Sequence, residues 1–380
     1  MPTVLIASDK FKGSLSAAEV ADAVGAGVRS VLPSARVVAV PVADGGDGTL
    51  AAALAAGFTE VPVTACGPTG LPVSTRYARR GDVAVVELAD VSGLGRLPDG
   101  RRDPMRATSR GTGEVVAAAV TAGCREIVLG VGGSASTDGG AGLLRALGAR
   151  LLDTEGAQVA DGGAALVDVA TVELGGLRAT LRGVSLTLAS DVDNPLTGPY
   201  GAAAVYAPQK GATAAQVARL DAALSHWADV VAAETGRDLR AAQGAGAAGG
   251  VGFACLALLG ASVRPGIELV LDLAGFAGHL AEADLVVTGE GALDAQTLHG
   301  KAPVGVARAA RAAGVDVVAV CGVNTLPEDA LRAVGIGTTY SLADLEPDLS
   351  VCFRDGGRLL RSVGERIAAE HLAGRPARTR

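Results

Sequence analysis

Short apolar runs rich in β-branched residues alternate along the first part of the chain with apolar stripes at helical spacing. Residues 4–7 and 37–42 are two such runs; the first predicts a buried strand and the second predicts the next strand. Between them, the capping-box pair Ser16 and Glu19 precedes a valine stripe that stops at Pro33, which predicts a helix. An alanine-rich helix is predicted to follow the second strand. The order strand, helix, strand, helix is typical of a parallel sheet.

The pattern becomes mixed in the middle of the chain. Residues 72–79 and 82–88 predict the two strands of a hairpin, and further strands are predicted at residues 126–131 and 185–189. A long capped helix is predicted later in this part of the chain. Its apolar stripe contains Trp227, which we interpret as a core residue and not as part of a ligand site.

After residue 267 the simple alternation returns, with strands predicted at residues 284–288 and 317–320 and a helix between them. Two stretches of the same style therefore flank a mixed one, as expected when one domain is inserted into another. We predict an α/β protein with two α/β domains. Residues 1–62 and 280–380 would form a discontinuous domain with a parallel sheet, and residues 63–279 a mixed α/β insertion.

The composition fits two globular domains and argues against several kinds of partner. Of the 380 residues, 49% are hydrophobic and 19% are charged, so a large core is expected. The formal net charge is -7 and no run of Lys and Arg occurs before the tail, which argues against nucleic acid. Residues 241–263 carry no charge, but their Gly and Ala content predicts a loop and a buried helix and not a membrane span.

The cysteines and the two ends of the chain bear on its location. The 5 cysteines are scattered without a C-x-x-C pair, which argues against disulfides or a zinc site and favours a reducing cytoplasm. The first residues, MPTVLIASDK, lack the basic and apolar regions of a secretory signal. Residues 374–380 are rich in Pro and Arg and are expected to be frayed.

The stretch DLVVTGEGALDAQTLHGK, residues 284–301, places a polar loop after a predicted buried strand. Two glycines flank Glu290, and Asp294, His299 and Lys301 follow before a predicted helix. Ligands of open α/β sheets bind outside the carboxyl ends of the strands. Two carboxylates and a cation there can hold a divalent metal and a phosphate. An ordinary polar loop between a strand and a helix is the alternative interpretation.

Other polar side chains also follow predicted strands. Lys10 and Lys12 come after the first strand, where they could neutralise a phosphate or a carboxylate, or be solvated surface lysines. Acidic residues that follow strands could converge at one rim and bind Mg²⁺, or they could cap turns. These acidic residues are Asp44, Asp47, Asp138, Asp191, Asp193, Glu290 and Asp294.

Three glycines, Gly244, Gly246 and Gly249, match the pattern G-x-G-x-x-G. The segment before them does not have the pattern of a strand, so the context of a dinucleotide site is missing. Because a helix is predicted after them, an anion site at its amino end and a packing loop are both open interpretations. The chain also lacks the P-loop, the protein kinase signatures and the G-x-S-x-G elbow of hydrolases. A phosphotransferase would therefore need another scaffold.

Motifs spread in order along the chain resemble those of the bacterial type I glycerate kinases. They are SDKFKGSLSA (8–17), PVADGGDGT (41–49), TSRGTGE (108–114), GVGGSASTDGGAG (130–142), SDVDNPLTG (190–198), APQKGA (207–212), GAGAAGG (244–250) and TGEGALDAQTLHGK (288–301). The resemblance covers essentially the whole chain. Asp47 differs from the residue that many family members have at this position, and Lys10 differs from the residue that some members have. Both differences keep the loops polar.

The resemblance implies ATP-dependent phosphorylation of D-glycerate with Mg²⁺, with 2-phosphoglycerate as the expected product. It also implies that the discontinuous domain is Rossmann-like and that the site lies in the cleft between two α/β domains. ATP and glycerate would be the small-molecule partners of a cytoplasmic enzyme, without nucleic acid or membrane. A homodimer is left open.

We infer residue roles from the charges that phosphoryl transfer must position and neutralise. Asp191 is the first candidate for the base that orients the glycerate hydroxyl, Asp44 is the second, and Lys12 is a further catalytic candidate. Glu290 and Asp294 are the metal candidates. The predicted substrate- or phosphate-binding residues are Lys10, Ser134, Lys210, Gly246, Gly249, His299 and Lys301.

Two functions of other classes stay open at this point. A nicotinamide-dependent dehydrogenase of a small hydroxy acid would explain glycine-rich loops, but it needs G-x-G-x-x-G directly after a strand. A non-catalytic sensor of small acids would use the same cleft without metal-binding carboxylates. Consumption of ATP in the presence of glycerate separates all three.

Overall fold

The structure of the protein, a computed structural model, describes residues 1–373 except the side chain of His299. The tail that was expected to be frayed, residues 374–380, lies outside the described residues. The β-strands are β1 Thr3–Ser8, β2 Arg36–Ala39, β3 Thr59–Cys66, β4 Pro72–Arg80, β5 Val83–Glu87, β6 Glu126–Gly130, β7 Arg150–Leu152, β8 Thr171–Glu173, β9 Ser185–Ala189, β10 Ser262–Arg264, β11 Leu285–Leu293, β12 Asp316–Asn324 and β13 Thr338–Ser341.

Helices connect and cover these strands. They are α1 Ala17–Val31, α2 Thr49–Ala55, α3 Ala89–Ser92, α4 Arg110–Thr121, α5 Ala141–Ala146, α6 Gly175–Thr180, α7 Ala202–Tyr206, α8 Ala214–Thr235, α9 Ala247–Leu258, α10 Gly266–Leu273, α11 Phe276–Leu280, α12 Ala302–Ala312, α13 Glu328–Ala333, α14 Leu342–Leu345, α15 Leu349–Arg354 and α16 Gly356–Ile367, which continues as a π-helical turn Ala368–Leu372. Short 3₁₀ turns lie at Leu94–Arg96, Pro98–Gly100, Gly163–Asp168, Pro208–Lys210 and Thr297–His299.

The density of internal contacts divides the chain into two compact units. Unit 1 comprises residues 1–44, 51–56 and the chain from residue 267 onward, and unit 2 comprises residues 45–50 and 57–266. The predicted domain boundaries near residues 62 and 280 stay a prediction. The predicted fold class is confirmed, because the protein is a mixed α/β structure with parallel sheets.

Unit 1 contains a five-stranded parallel sheet with the order β13-β12-β11-β1-β2. The chain builds this sheet outward in two directions, since β2 lies on one side of β1 and β11 on the other. The boundary between β1 and β11 is thus a topological switch point. In open α/β sheets, the crevice at such a point is where ligands bind.

The strand β1 is buried on both faces, as its unbroken apolar sequence predicts. Because side chains alternate along a strand, Val4 and Ile6 join one core, which contains the valines of α1 and the apolar face of α16. Leu5 and Ala7 join the other core, which contains residues of α10 and α12. This interior strand therefore packs against helices on both faces of the sheet. The predicted capping box of α1, Ser16 with Glu19, is confirmed.

Several predicted strand ends in unit 1 are wrong. The strand predicted to end at residue 42 ends at Ala39, and the one predicted to end at residue 320 continues to Asn324. The strand predicted to end at residue 288 continues to Leu293, so Glu290 lies within β11 and not in the loop after it. The flanking glycines allow close strand packing here instead of a turn. A Cβ on Gly289 would stand 2.3 Å from the carbonyl oxygen of Val320 in β12. Extended pairing with β12 therefore continues through the glycines.

Unit 2 contains a six-stranded mixed sheet with the order β10-β9-β6-β5-β4-β3. The strands β5, β6, β9 and β10 run parallel, and β3, β4 and β5 are antiparallel, which confirms the predicted hairpin between residues 72 and 88. The core interpretation of Trp227 is also confirmed. Its side chain is fully buried, and its indole N–H donates to the carbonyl oxygen of Gly139 at 3.1 Å.

Within residues 1–373, no helix combines the length and the apolarity that a bilayer crossing requires. The uncharged segment 241–263 instead contributes buried residues of α9 to the core of unit 2.

A close helix crossing in unit 1 leads to a stability prediction. A Cβ on Gly27 of α1 would stand 2.0 Å from the carbonyl oxygen of Arg361 in α16. We expect Gly27→Ala to lower the free energy of unfolding by about 1–3 kcal/mol through overpacking. In contrast, a Cβ on Gly357 of α16 would meet no atom within 4 Å. Gly357→Ala is therefore the matched control and should raise stability, by up to about 1 kcal/mol. Urea unfolding measures both. Equal effects of the two changes would refute the tight crossing.

Candidate active site

The loops that follow β1 and β11 begin side by side at the switch point of the sheet in unit 1. The register pairs Ser8 with Gly289, and the backbone N–H of Asp9 still donates to the carbonyl oxygen of Gly289 at 2.9 Å. The backbone N of Lys12 lies 3.4 Å from the point where a Gly291 Cβ would stand. The lysine-bearing loop therefore runs beside β11, within van der Waals range of a Gly291 Cβ.

Asp9 is a site residue that the sequence reasoning missed. Burial raises the pKa of its carboxyl group from the usual 3.8 to about 7, against the lowering effect of Lys10. The negative charges of Asp44 and Glu290 raise that pKa further, so the three carboxyl groups share one electrostatic environment in unit 1. A sequence signal was present, since Asp9 directly follows a fully buried strand.

Glu290 and Asp294 converge on a cation. The Lys301 Nζ lies 3.6 Å from the Glu290 Oε2 and 3.6 Å from the Asp294 Oδ1. The Thr297 hydroxyl donates to the Glu290 Oε1 at 2.5 Å. Burial raises the pKa of Glu290, while the Thr297 hydrogen bond and the Lys301 charge oppose this rise. The 3₁₀ turn that carries Thr297 thereby fixes the direction in which this carboxylate points.

This donor set suits a metal only in part. Among the described side chains, no three from His, Cys, Asp and Glu form a group that could hold a metal ion. Mg²⁺ in phosphate-transferring sites is often bound by one or two carboxylates, with substrate phosphates and water completing the octahedron. Glu290 and Asp294 fit that incomplete kind of site, because both already face the Lys301 ammonium. The predicted role of His299 cannot be placed, since its side chain lies outside the described residues.

In unit 2, the loops after β6 and β9 leave neighbouring parallel strands, since Gly130 pairs with Ala189. Ser134 lies in the first loop and Asp191 in the second. The Asp191 Oδ1 accepts a hydrogen bond from the backbone N–H of Gly266 at 3.2 Å. Its carboxylate is therefore held at the end of the parallel part of the sheet, as the sequence predicted. The other base candidate, Asp44, belongs to unit 1.

Lys210 is buried, in contrast with the anion-binding lysine that the sequence suggested. Only 1% of the residue is exposed. Its Nζ donates to the Ser134 Oγ at 2.8 Å and, by a short hydrogen bond, to the carbonyl oxygen of Ser136. Burial lowers the pKa of Lys210 to about 7, and the negative charge of Asp138 opposes that change. In this conformation the ammonium contacts protein oxygens, and direct substrate binding by it stays a prediction.

Asp138 ties two of the motifs together. It is fully buried and accepts hydrogen bonds from the backbone N–H and the hydroxyl of Ser109, both at 2.8 Å. The backbone N–H groups of Gly140 and Gly142 also donate to it, each at 3.3 Å. Burial raises the pKa of this carboxyl group, and the hydrogen bonds lower it. Asp138 therefore fixes the loop after β6 against the start of α4.

The glycines of the G-x-G-x-x-G match lie in close backbone packing. A Cβ on Gly246 would stand 2.4 Å from the carbonyl oxygen of Pro195, and one on Gly249 would stand 2.2 Å from that of Ser136. No strand precedes this segment, which follows α8 and a turn, so the dinucleotide context is absent from this part of the described chain. An anion-binding role for Gly246 and Gly249 stays a prediction.

Glu87 is a second residue that the sequence reasoning missed. It ends β5 and is 6% exposed, and its carboxylate accepts hydrogen bonds from the backbone N–H groups of Gly48 at 3.2 Å and Leu50 at 2.8 Å. Burial raises the pKa of Glu87 and these hydrogen bonds oppose the rise. Glu87 thus holds residues 45–50, which carry Asp47, within unit 2. A charged residue at the end of an apolar strand was the available signal.

Lysine usage gives a further signal for the candidate site. Four of the 33 Lys and Arg residues are lysines, namely Lys10, Lys12, Lys210 and Lys301, and all four lie in the motif loops. Arginine supplies the remaining cations. The structure brings Lys301 together with Glu290 and Asp294, and Lys210 together with Ser134.

Comparisons with known proteins agree along the whole chain. The sequence profile of the glycerate kinase family matches residues 4–372. A glycerate kinase of Bacillus subtilis strain 168 is 43% identical over 369 residues, 96% of this chain and 97% of that protein. A glycerate 2-kinase of Escherichia coli K12 is 40% identical over 369 residues, again 96% and 97% of the two chains.

A solved structure agrees with these sequence matches. The crystal structure of a protein described as a glycerate kinase 2, from Salmonella typhimurium LT2, superposes with a TM-score of 0.85 at 41% identity. The match covers 98% of this chain and 99% of that one. The chain therefore belongs to the glycerate kinase family.

Proposed function

We propose that this enzyme transfers the γ-phosphoryl group of ATP to the C2 hydroxyl of D-glycerate, with Mg²⁺, and so forms 2-phosphoglycerate. The glycerate 2-kinase of Escherichia coli is among its relatives, which supports phosphorylation at C2. The observation that carries the proposal is the grouping of Glu290, Asp294 and Lys301 at the switch point of the parallel sheet. Such a position binds small ligands, and such charges suit phosphates and a metal.

The reaction needs positioning and charge neutralisation more than covalent chemistry. The hydroxyl oxygen of glycerate forms a bond to the γ-phosphorus, the bond from that phosphorus to the bridging oxygen breaks, and ADP leaves. Lys12 and Lys301, with Lys10, would neutralise the anionic oxygens of the two substrates. The Mg²⁺, when bound by Glu290 and Asp294 together with phosphate oxygens, would neutralise part of the phosphate charge.

A carboxylate must orient the attacking hydroxyl and take its proton. We assign this role to Asp191, with Asp44 as the second candidate. Asp191 follows an apolar parallel strand, and its Oδ1 is oriented by the backbone N–H of Gly266. This geometry suits a base that accepts a hydrogen bond from a bound hydroxyl.

The activity itself is the first test. Purified protein with ATP, Mg²⁺ and D-glycerate should release ADP, and coupling to enolase without a mutase should consume the product only if C2 is phosphorylated. Chelation by EDTA should abolish turnover and Mg²⁺ should restore it. Folded protein without turnover above a control lacking enzyme would disprove the proposal. If enolase does not consume the product, the phosphate is on C3 and the assignment to C2 is wrong.

A substitution tests the assignment of Asp191. Asp191→Asn keeps the acceptor for the Gly266 N–H but removes the charge, so kcat should fall by roughly 10²–10⁴-fold with little change in Tm. Asp153→Asn is a matched control, because Asp153 is an exposed carboxylate that accepts turn N–H groups at 2.9 Å. It should leave kcat unchanged. If Asp191→Asn is stable and keeps near-normal kcat, the base is not Asp191, and Asp44→Asn becomes the next variant.

The raised pKa of Asp9 predicts how stability depends on pH. Between about pH 4 and pH 7 the folded protein keeps a proton on Asp9 that the unfolded chain has released, so this residue lowers stability as pH rises through that range. Asp9→Asn keeps the acceptor for the Lys10 N–H and removes the buried charge. At pH 8 it should raise the free energy of unfolding by about 1–3 kcal/mol.

Urea unfolding at pH 4 and pH 8 measures this effect of Asp9. The gain should vanish near pH 4, where Asp9 is protonated in the folded protein. Asp22→Asn, at an exposed position on α1, is the control and should show no such difference between the two pH values. A pH-independent effect of Asp9→Asn would contradict the buried, protonated state of this carboxyl group.

A further inference from the structure

The hydroxyl of Ser134 is a donor without a partner. Its oxygen accepts an N–H from Lys210 at 2.8 Å. An ammonium has three donors and no acceptor, so the Ser134 proton cannot be given to Lys210 and must point elsewhere. Within the described residues, no other hydrogen bond involves this hydroxyl. Ser134 is 6% exposed and follows the exposed Gly133. The proton is therefore available to an acceptor other than Lys210.

The backbone around Ser134 is pinned on both sides. The carbonyl oxygen of Gly133 accepts the backbone N–H of Leu94 at 3.0 Å, and the N–H of Ala135 donates to the carbonyl oxygen of Ser92 at 3.0 Å. These bonds join the loop after β6 to the turn after α3. The direction of the Ser134 side chain is thus set before any ligand arrives, as a binding site of this kind requires.

The Lys210 side chain is also fixed in position by its contacts. It ends the 3₁₀ turn Pro208–Lys210, and its second acceptor is the carbonyl oxygen of Ser136. A Cβ on Gly249 would stand 2.9 Å from the Lys210 Nζ, so a glycine is what allows the ammonium to reach this position. The Lys210 ammonium therefore contacts Ser134 while it is shielded from solvent.

We propose that Ser134 donates its hydroxyl proton to an anionic oxygen of a bound substrate, and that Lys210 is a positioning residue that fixes this donor from behind. The inference rests on the proposed function, because it names the group that recognises a substrate anion. A hydroxyl that accepts from a cation is polarised and becomes a stronger donor. Lys210 thus acts on the anion through Ser134 and without touching it.

The substrate group is a carboxylate or phosphate oxygen, and the position favours the carboxylate of glycerate. The loops of Ser134 and Asp191 leave adjacent parallel strands, β6 and β9. If Asp191 orients the glycerate hydroxyl, Ser134 is suitably placed for the carboxylate at the other end of the same small molecule. A phosphate oxygen of ATP is the alternative source of the same chemistry, and the experiment separates the two.

The proton on Lys210 should control the direction of the hydrogen bond. A neutral amine accepts from a hydroxyl, so deprotonation would turn the Ser134 proton inward, away from the substrate. Lys210 has a pKa lowered to about 7, and Asp138, in the same loop as Ser134, is the charged group that faces it in the described chain. Asp138 stabilises the charged form, and burial opposes it. The donor would therefore weaken as pH rises through 7.

The test compares KM for each substrate in Ser134→Ala, Lys210→Met and the double variant. Each single change should raise KM for D-glycerate by about 10–100-fold, the size expected for a charge-assisted hydrogen bond. KM for ATP should change little, and the opposite pattern would assign the anion to ATP. The KM of the double variant for D-glycerate should not exceed the higher of the two single-variant KM values. Effects that multiply would show that Lys210 does not act through Ser134.

Conservative and control variants exclude a merely structural role. Ser134→Thr keeps the hydroxyl and should restore much of the glycerate affinity. Thr187→Ala removes an exposed hydroxyl that pairs with Ser262 at 3.1 Å between β9 and β10, and it should change neither KM. In the unsubstituted enzyme, KM for glycerate should rise between pH 6 and pH 8.5, and this rise should be absent from Ser134→Ala. If Lys210→Met does not fold, the pH profiles of these two proteins still decide the question.

Calorimetric binding of D-glycerate alone separates this inference from the proposed function. If the enzyme turns over and Ser134→Ala binds glycerate and ATP normally, the inference is wrong and the function stands. If the unsubstituted protein binds glycerate but does not turn over, and Ser134→Ala loses that binding, the anion site stands and the proposed reaction falls.

Discussion

The parallel pairing of β1 with β11 is the interaction on which the candidate site in unit 1 depends. These strands are distant in sequence, and their pairing joins the two halves of the open sheet at its topological switch point. The pairing places the loop of Asp9, Lys10 and Lys12 beside the residues that end β11. The alternate burial of β1 side chains in two cores makes a one-residue shift of this register costly, because every side chain would change face.

Glycine serves close approach in both units as well as turns. The 54 glycines include Gly289 in a strand, Gly27 in a helix and Gly249 in a left-handed turn, and in each case a Cβ would overlap a neighbouring backbone oxygen. Such contacts bring backbone carbonyls and N–H groups to the loops that bear charges. A glycine-rich sequence can therefore encode a rigid site when the glycines are packed and not exposed.

Much of the fold follows from local pattern. The buried strand β1, the two capping boxes and the core stripe through Trp227 are set by short-range periodicity and cap chemistry, and the structure confirms them. The end of β11 was wrong because a G-E-G segment looks like a turn when its neighbour β12 is unknown. Burial of Lys210 was missed for a similar reason. Its environment is built by Ser134, Ser136 and Gly249, which are far away in sequence.

The candidate site was predictable at the level of loops and less so at the level of roles. Their spacing identified Glu290, Asp294 and Lys301 as neighbours, because one short segment, the end of β11 and the loop after it, carries all three. Asp9 and Glu87 were missed because their importance comes from burial, which depends on strands that pair with β1 and on a segment held in unit 2. The sequence gives the position of a carboxylate along the chain. Its burial, which shifts its pKa, depends on the packed structure.

Lysine at position 210 has a physical reason, because most cationic side chains of this chain are arginines. A guanidinium is planar, has five donors and does not lose its proton in proteins. The space beside Gly249 admits a compact ammonium, whose donors reach a hydroxyl and a carbonyl oxygen. Arginine there would leave more buried N–H groups to satisfy and could never become an acceptor. A buried lysine thus combines a tight fit with a charge that can be removed, which a structural ion pair does not need.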